Sequence, residues 1–127
     1  LKEFSAIQID YDSNMIRFAS SEKYEPNESV LVGKTKIIEE KSIGLVVEGN
    51  FFGKPSPVVL DFAGDYHLTV PQANDPITRQ LSFGDLVFRK IPTQRFDNTP
   101  RVGKKLFKNL IITICQMEKV IYFEHVK

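Results

Sequence analysis

The sequence predicts an all-β protein, and three observations carry that expectation. Apolar residues recur with a period of two over most of the chain. No segment sustains a 3.6-residue apolar stripe. The alternating runs are separated by Asp, Asn, Gly and Pro at turn-forming positions. A chain that is mainly β, with little helix, is what such a pattern is expected to build.

The elements follow in order. Residues 4–11 alternate, with Ile7 and Ile9 on one face and Gln8 and Asp10 on the other. Asp12-Ser13-Asn14 is turn chemistry, because Asp and Asn bond their own backbone and tolerate a left-handed conformation. Residues 15–18 alternate again, so 4–18 reads as a hairpin. Residues 19–29 are polar, contain Pro26 and read as a loop. Lys36-Ile37-Ile38 reads as a short strand and residues 43–52 as a longer one. Residues 53–57, with Gly53, Pro55 and Pro57, read as a turn before the buried strand Val58-Val59-Leu60.

Residues 67–70 form a strand stopped by Pro71, and residues 72–80 a loop or single helical turn. Residues 81–88 form a hairpin turning at Gly84-Asp85, and residues 93–101 are irregular. A helical turn is expected over 106–109. A final hairpin joins residues 110–114 to 120–123 around Gln116-Met117-Glu118-Lys119.

Composition narrows the function. The chain has 127 residues, enough for one domain with a substantial core. A net charge of +1 argues against a strongly basic nucleic-acid binder. The lone Cys115 excludes an intramolecular disulfide and a multi-cysteine zinc site. No apolar run approaches the roughly 20 residues of a membrane helix, so no membrane span is expected. No signal peptide is evident, and the chain opens on Leu1 rather than Met, which points to a processed protein or a fragment.

The first and last hairpins share a register. Ile7, Ile9, Ile16 and Phe18 correspond to Ile112, Ile114, Ile121 and Phe123 at a constant spacing. One reading is that any two β-hairpins alternate alike. The other is duplication, in which residues 1–20 complete a preceding lobe, residues 21–42 are linker and first strands, and residues 43–127 are a second lobe of the same kind.

Three segments carry a family resemblance. The first is Leu45 to Pro71, centred on Phe52-Gly53-Lys54-Pro55-Ser56-Pro57-Val58-Val59-Leu60-Asp61-Phe62-Ala63-Gly64-Asp65. The second is the hairpin from Leu81 to Ile91. The third is Val102-Gly103-Lys104-Lys105-Leu106-Phe107-Lys108-Asn109 with the apolar hairpin after it. In this order they resemble the aspartic protease family, in particular its small retropepsin-like lobes from bacterial proteins. The resemblance implies a retropepsin-like partly open barrel, with Asp61 as one catalytic carboxylate and the loop Phe62, Ala63, Gly64 and Asp65 around it. Gly103 would be the supporting turn. Leu60 and Val70 should be buried near that loop.

The family's reaction needs two carboxylates about 3 Å apart that share one proton, one activating water and the other polarising the scissile carbonyl. One Asp loop supplies one carboxylate. The implied partners are therefore a peptide or protein and a second lobe of the same kind, either upstream in the same chain or in a homodimer. No cofactor and no metal is implied, and the compartment is left open, a soluble extracytoplasmic bacterial setting being one option.

The departures from the family are specific. Phe62 stands where the family has a hydroxyl residue that braces the two Asp loops, and Phe cannot make that bond. Ala63 stands where the family has Gly. Residues 71–83 contain no Gly, so a glycine-rich flap is missing. The isolated chain is expected to be inactive as an aspartic endopeptidase. A non-catalytic module that binds peptide or protein on the same fold is the alternative.

Other candidates are weaker. Asp65 and His67 would share a strand face, but His125 is the only other histidine for a metal set. Cys115 has no base near it in sequence and reads as a packing thiol. Arg89, Lys90, Arg95, Arg101, Lys104, Lys105 and Lys108 face only Asp97 in that stretch, which reads as a solvated basic face rather than a nucleic-acid surface.

Overall fold

The computed structural model describes residues 6–19, 26, 28–41, 44–71, 75–96 and 99–125. Among them the chain forms eleven strands and one short 3-10 turn. In chain order the strands are β1 (Ala6–Asp10), β2 (Met15–Ala19), β3 (Leu31–Lys41), β4 (Gly44–Phe51), β5 (Lys54–Leu60), β6 (Leu68–Val70), β7 (Ile77–Phe83), β8 (Leu86–Arg95), β9 (Arg101–Val102), β10 (Leu110–Cys115) and β11 (Val120–His125). The 3-10 turn, Lys104–Phe107, lies between β9 and β10. The all-β expectation holds.

Two substructures share one core. The first is a six-stranded barrel that runs β4-β5-β9-β6-β8-β7 and returns to β4. A single pairing, Asn50 with Ser82, closes it. The barrel expected to be partly open is therefore closed, though only narrowly at this seam. The second is an antiparallel sheet, β2-β1-β10-β11-β3. The long β3 joins them. Its first half pairs with β11 and its second half with β4, so one strand carries the chain from sheet to barrel.

The opening and closing hairpins meet. β1 pairs with β10, setting Ile7 opposite Ile114 and Ile9 opposite Ile112. Gln8 and Thr113, which are 105 residues apart and equivalent in the repeat, face each other at the centre and share a hydrogen bond of 3.2 Å. Each position of one hairpin thus lies against the counterpart of its neighbour in the other, which is the register of a local two-fold axis. Of the opening hairpin, residues 6–19 join the same sheet as the closing one.

Several boundaries shift for physical reasons. β3 spans eleven residues, where sequence suggested a strand only at 36–38, because polar Lys34, Lys36, Glu39 and Glu40 face solvent along an otherwise paired strand. The turn expected over 53–57 is only Phe52-Gly53, both at positive φ (53° and 92°), a two-residue hairpin loop. Asn50 Oδ1 accepts the Gly53 amide at 2.6 Å and fixes it. Pro55 and Pro57 then lie inside β5. The amides of Val59 and Asp61 point away from β4, toward Pro100 and Val102. Pro55 and Pro57 share that direction, where β9 does not reach, so their missing N–H groups cost nothing.

Residues 77–80, expected as loop or helical turn, belong to β7, and residues 93–95, expected as irregular, to β8. In β8 they pair in parallel with β6, Leu68 opposite Thr93. The helical turn expected over 106–109 lies slightly earlier, at 104–107. The Gly84-Asp85 turn and the final hairpin stand as expected.

The core joins barrel residues Val47, Val58, Leu60, Leu68, Leu81, Phe83, Ile91 and Val102 to sheet residues Ile112, Ile114, Ile121 and Phe123. Leu60 is fully buried; Val70, expected to match it, is only partly so because it ends its strand. Aromatic rings run through this core as a chain of contacts: Phe88 to Phe83 (6.2 Å), Phe83 to Phe123 (5.5 Å), Phe123 to Phe107 (6.2 Å) and Phe107 to Tyr11 (6.4 Å). Such pairs add to area burial. The last ring reaches the Asp61 loop.

Candidate functional site at the Asp61 loop

Asp61 directly follows the last residue of β5. The short β9 lies between β5 and β6, parallel to the first and antiparallel to the second. Asp61 donates its amide to the Val102 carbonyl (2.8 Å), and Gly103 donates its own to the His67 carbonyl (3.1 Å). Lys104 and Lys105 donate to the Gly64 and Tyr66 carbonyls (2.8 and 3.2 Å). The loop from 61 to 67 is thus stitched at both ends to residues 102–105, far along the chain.

Gly103 suits this place because of space. A Cβ there would lie 2.7 Å from the Gly64 carbonyl oxygen and closer still to that of Tyr66, so no side chain fits without moving the loop. A Cβ on Gly64 would lie 2.6 Å from the Asp61 carboxylate. These two glycines let the backbone close around Asp61.

Both carboxylate oxygens of Asp61 accept bonds from within the chain. Tyr66 donates its hydroxyl to Oδ2 at 2.7 Å, and the Ala63 amide donates to Oδ1 at 3.3 Å. Gly64 caps the turn by donating to the Asp61 carbonyl at 3.1 Å. Tyr11, from the end of β1, donates its hydroxyl to the Phe62 carbonyl at 2.7 Å and so ties the opening hairpin to the loop.

Electrostatics follow from this packing. Burial pushes the Tyr66 phenol up to about 12, with the hydrogen bond to Asp61 and its charge adding to the effect, while Arg101 opposes it. Burial and then the Asp61 charge push Tyr11 up to about 12 as well. Both phenols therefore stay protonated donors across the physiological range. Arg101, on β9, lies near Tyr66 and over the Phe96 ring at 5.2 Å. Its Nε is buried without a hydrogen-bond partner among the described residues.

The remaining sequence candidates fall out differently. Phe62 is half-buried against the core, and Ala63 is exposed. Asp65 and His67 do not share a strand face, since both precede β6 in a bend; Asp65 instead meets Lys105 at 3.8 Å, both exposed. Among the described residues no group of three or more His, Cys, Asp or Glu side chains is placed to hold a metal. Cys115 is free and buried, and burial pushes its thiol up to about 11, with Glu118 and Glu124 adding to the rise. The basic stretch divides. Arg89 and Lys90 lie exposed on β8, Arg101 joins the Tyr66 cluster, and Lys104, Lys105 and Lys108 line a cavity beside Tyr11.

Tyr11, Tyr66 and Arg101 are the residues of this cluster that carry no motif in the sequence. The signal for Tyr66 is its place five residues after Asp61 on the same loop; Tyr11 and Arg101 reach the site only through strand pairing. Among the described residues no helix is long and apolar enough to cross a membrane. No protein-family model and no curated protein matches the chain.

Proposed function

We propose that this chain is an aspartic-protease-like, retropepsin-like lobe that binds a peptide or protein and mates with a second lobe, its Asp61 loop being a degenerate form of a peptidase half-site. One observation carries the reading. The two segments that suggest the Asp loop and its supporting turn, distant in sequence, meet at Asp61, where the Val102 carbonyl accepts the Asp61 amide and Gly103 packs against the loop. A carboxylate at a strand end, braced from behind by a separate strand, is held in a fixed position, as acid–base chemistry and ligand binding both require.

The local chemistry favours binding over cleavage. Each Asp61 oxygen already has an intrachain donor, so acting as a base toward water means competing with the Tyr66 hydroxyl or the Ala63 amide. Phe62 offers no hydroxyl to brace a second loop. The second lobe is supported by the two-fold register of the two hairpins. It is either an upstream part of the same chain or a second copy.

The peptidase half-site is the second reading, favoured by the placement of Asp61 at the end of β5. A peptide library incubated with the chain from acidic to neutral pH, with and without a pepstatin-like inhibitor, separates the two. No cleavage is expected, including from Phe62→Thr with Ala63→Gly. Inhibitor-sensitive cleavage abolished by Asp61→Asn would establish the peptidase reading instead.

A further inference from the structure

A basic cavity of about 400 Å³ opens beside the Asp61 loop. Lys104, Lys105 and Lys108 line it, with His67, Tyr11 and Asp12. Its volume is within the ordinary range for a ligand pocket. We propose that it receives a carboxylate side chain of a bound peptide, so that the peptide this lobe recognises is acidic next to the Asp61 loop.

The charges in the cavity are poorly balanced from within. Asp12 commits Oδ2 to the Asn109 amide at 2.8 Å. Asp65 approaches only Lys105, at 3.8 Å and with both side chains exposed, a pairing worth little. Lys104 and Lys108 make no ion pair among the described residues and line one cavity, where like charges repel. The backbone of Lys104 and Lys105 is held in place, because their amides are bonded to the Gly64 and Tyr66 carbonyls. An incoming carboxylate would relieve that repulsion.

The ligand class follows from count and position. Three lysines against Asp12 leave an excess of cation suited to one or two carboxylates, while Asp12 and Asp65 would oppose a polyanion such as a nucleic acid. Tyr11 sets the position. It lines the cavity while its hydroxyl bonds the Phe62 carbonyl, next to Asp61. A peptide lying across the loop would thus send a side chain into the lysines. The inference rests on the peptide-binding reading, and its failure is separable from the failure of that reading.

The experiment is calorimetric titration of the chain with acetyl-Ala-Ala-Glu-Glu-Ala-Ala-amide and with the same peptide carrying Gln for Glu. The Glu peptide is expected to bind at least tenfold more tightly, and to weaken as salt is raised from 0.05 to 0.5 M. Lys104→Gln with Lys108→Gln should abolish that preference, with circular dichroism confirming the fold; if the double variant unfolds, Lys108→Gln alone should reduce the preference severalfold. Equal binding of the two peptides would leave the peptide reading standing and overturn the cavity's role. Binding of neither would overturn both. Inorganic phosphate bound at the same lysines without peptide binding would make the cavity a free-anion site and overturn the peptide assignment.

Discussion

The sheet that joins the two hairpins has two halves that share one apolar pattern and are treated in opposite ways. On the β10–β11 half, Ile121 and Phe123 are fully buried beneath the barrel core. On the β1–β2 half, Ile16 and Phe18, at the equivalent positions, are 61% and 49% exposed. All lie on one face, since Ile7 pairs with Phe18 and Ile114, and Ile9 with Ile16 and Ile112. Alternation sets which face of a strand is apolar. What covers that face depends on the rest of the fold, and the two halves are covered to different extents.

The sharpest break in this comparison is a pair of truncations. Phe123→Ala should cost about 3–5 kcal/mol, the usual penalty for emptying a buried aromatic site, because Phe83 and Phe107 lose their shared neighbour. Ile16→Ala, at the mostly exposed equivalent of Ile121, should cost at most about 0.5 kcal/mol. Urea unfolding of both variants checks it, and equal costs would mean that the two halves are equally covered.

The next test asks whether the exposed half waits for a partner. Ile16→Asp should change the stability of the chain little, because Ile16 is mostly exposed. It should abolish a dimer that the unmodified chain forms in sedimentation at micromolar concentration. An unmodified chain that stays monomeric alone, and ignores an added second lobe, would remove the proposed partner from that face.

The last test concerns the hydrogen bond that holds the Asp61 carboxylate within its loop. Tyr66→Phe should cost about 1 kcal/mol, the net worth of one hydrogen bond at a half-exposed position. Tyr66 and Tyr11 both titrate near 12 when folded, against an ordinary value of 10.0. Their contribution to stability is therefore complete below pH 10 and lost as the pH rises from there through about 12. Absorbance at 295 nm during an alkaline titration follows both phenols. Asp61→Asn should bring both midpoints down, because the Asp61 charge is among the causes of each shift.

Much of the fold was legible in residues. Ile7, Ile9, Ile112 and Ile114 announce their strands by alternation, and Gly84-Asp85 its turn by chemistry. Pro55 and Pro57 misled because proline usually ends a strand; their tolerance depends on which side of β5 lacks a neighbour, a property of the sheet rather than of the segment. Residues 93–95 looked irregular because their partner, β6, is parallel and distant in sequence. The site was legible only at its centre. Asp61 and Gly103 have local signatures, whereas Tyr11 and Arg101 arrive through β1–β10 and β5–β9 pairing, which no short window of sequence contains.

The short β9 has a consequence for the order of events as the chain emerges and folds. Every bond that shapes the back of the Asp61 loop is supplied by residues 102–105, and β9 must enter between two strands that are already consecutive in the chain. Contacts of such long sequence separation are paid for in loop-closure entropy before they return any stabilisation, and they slow folding. The carboxylate seat is therefore completed among the last parts of the barrel. A nascent chain that has made Asp61 but not Gly103 holds the chemistry of the site without its geometry.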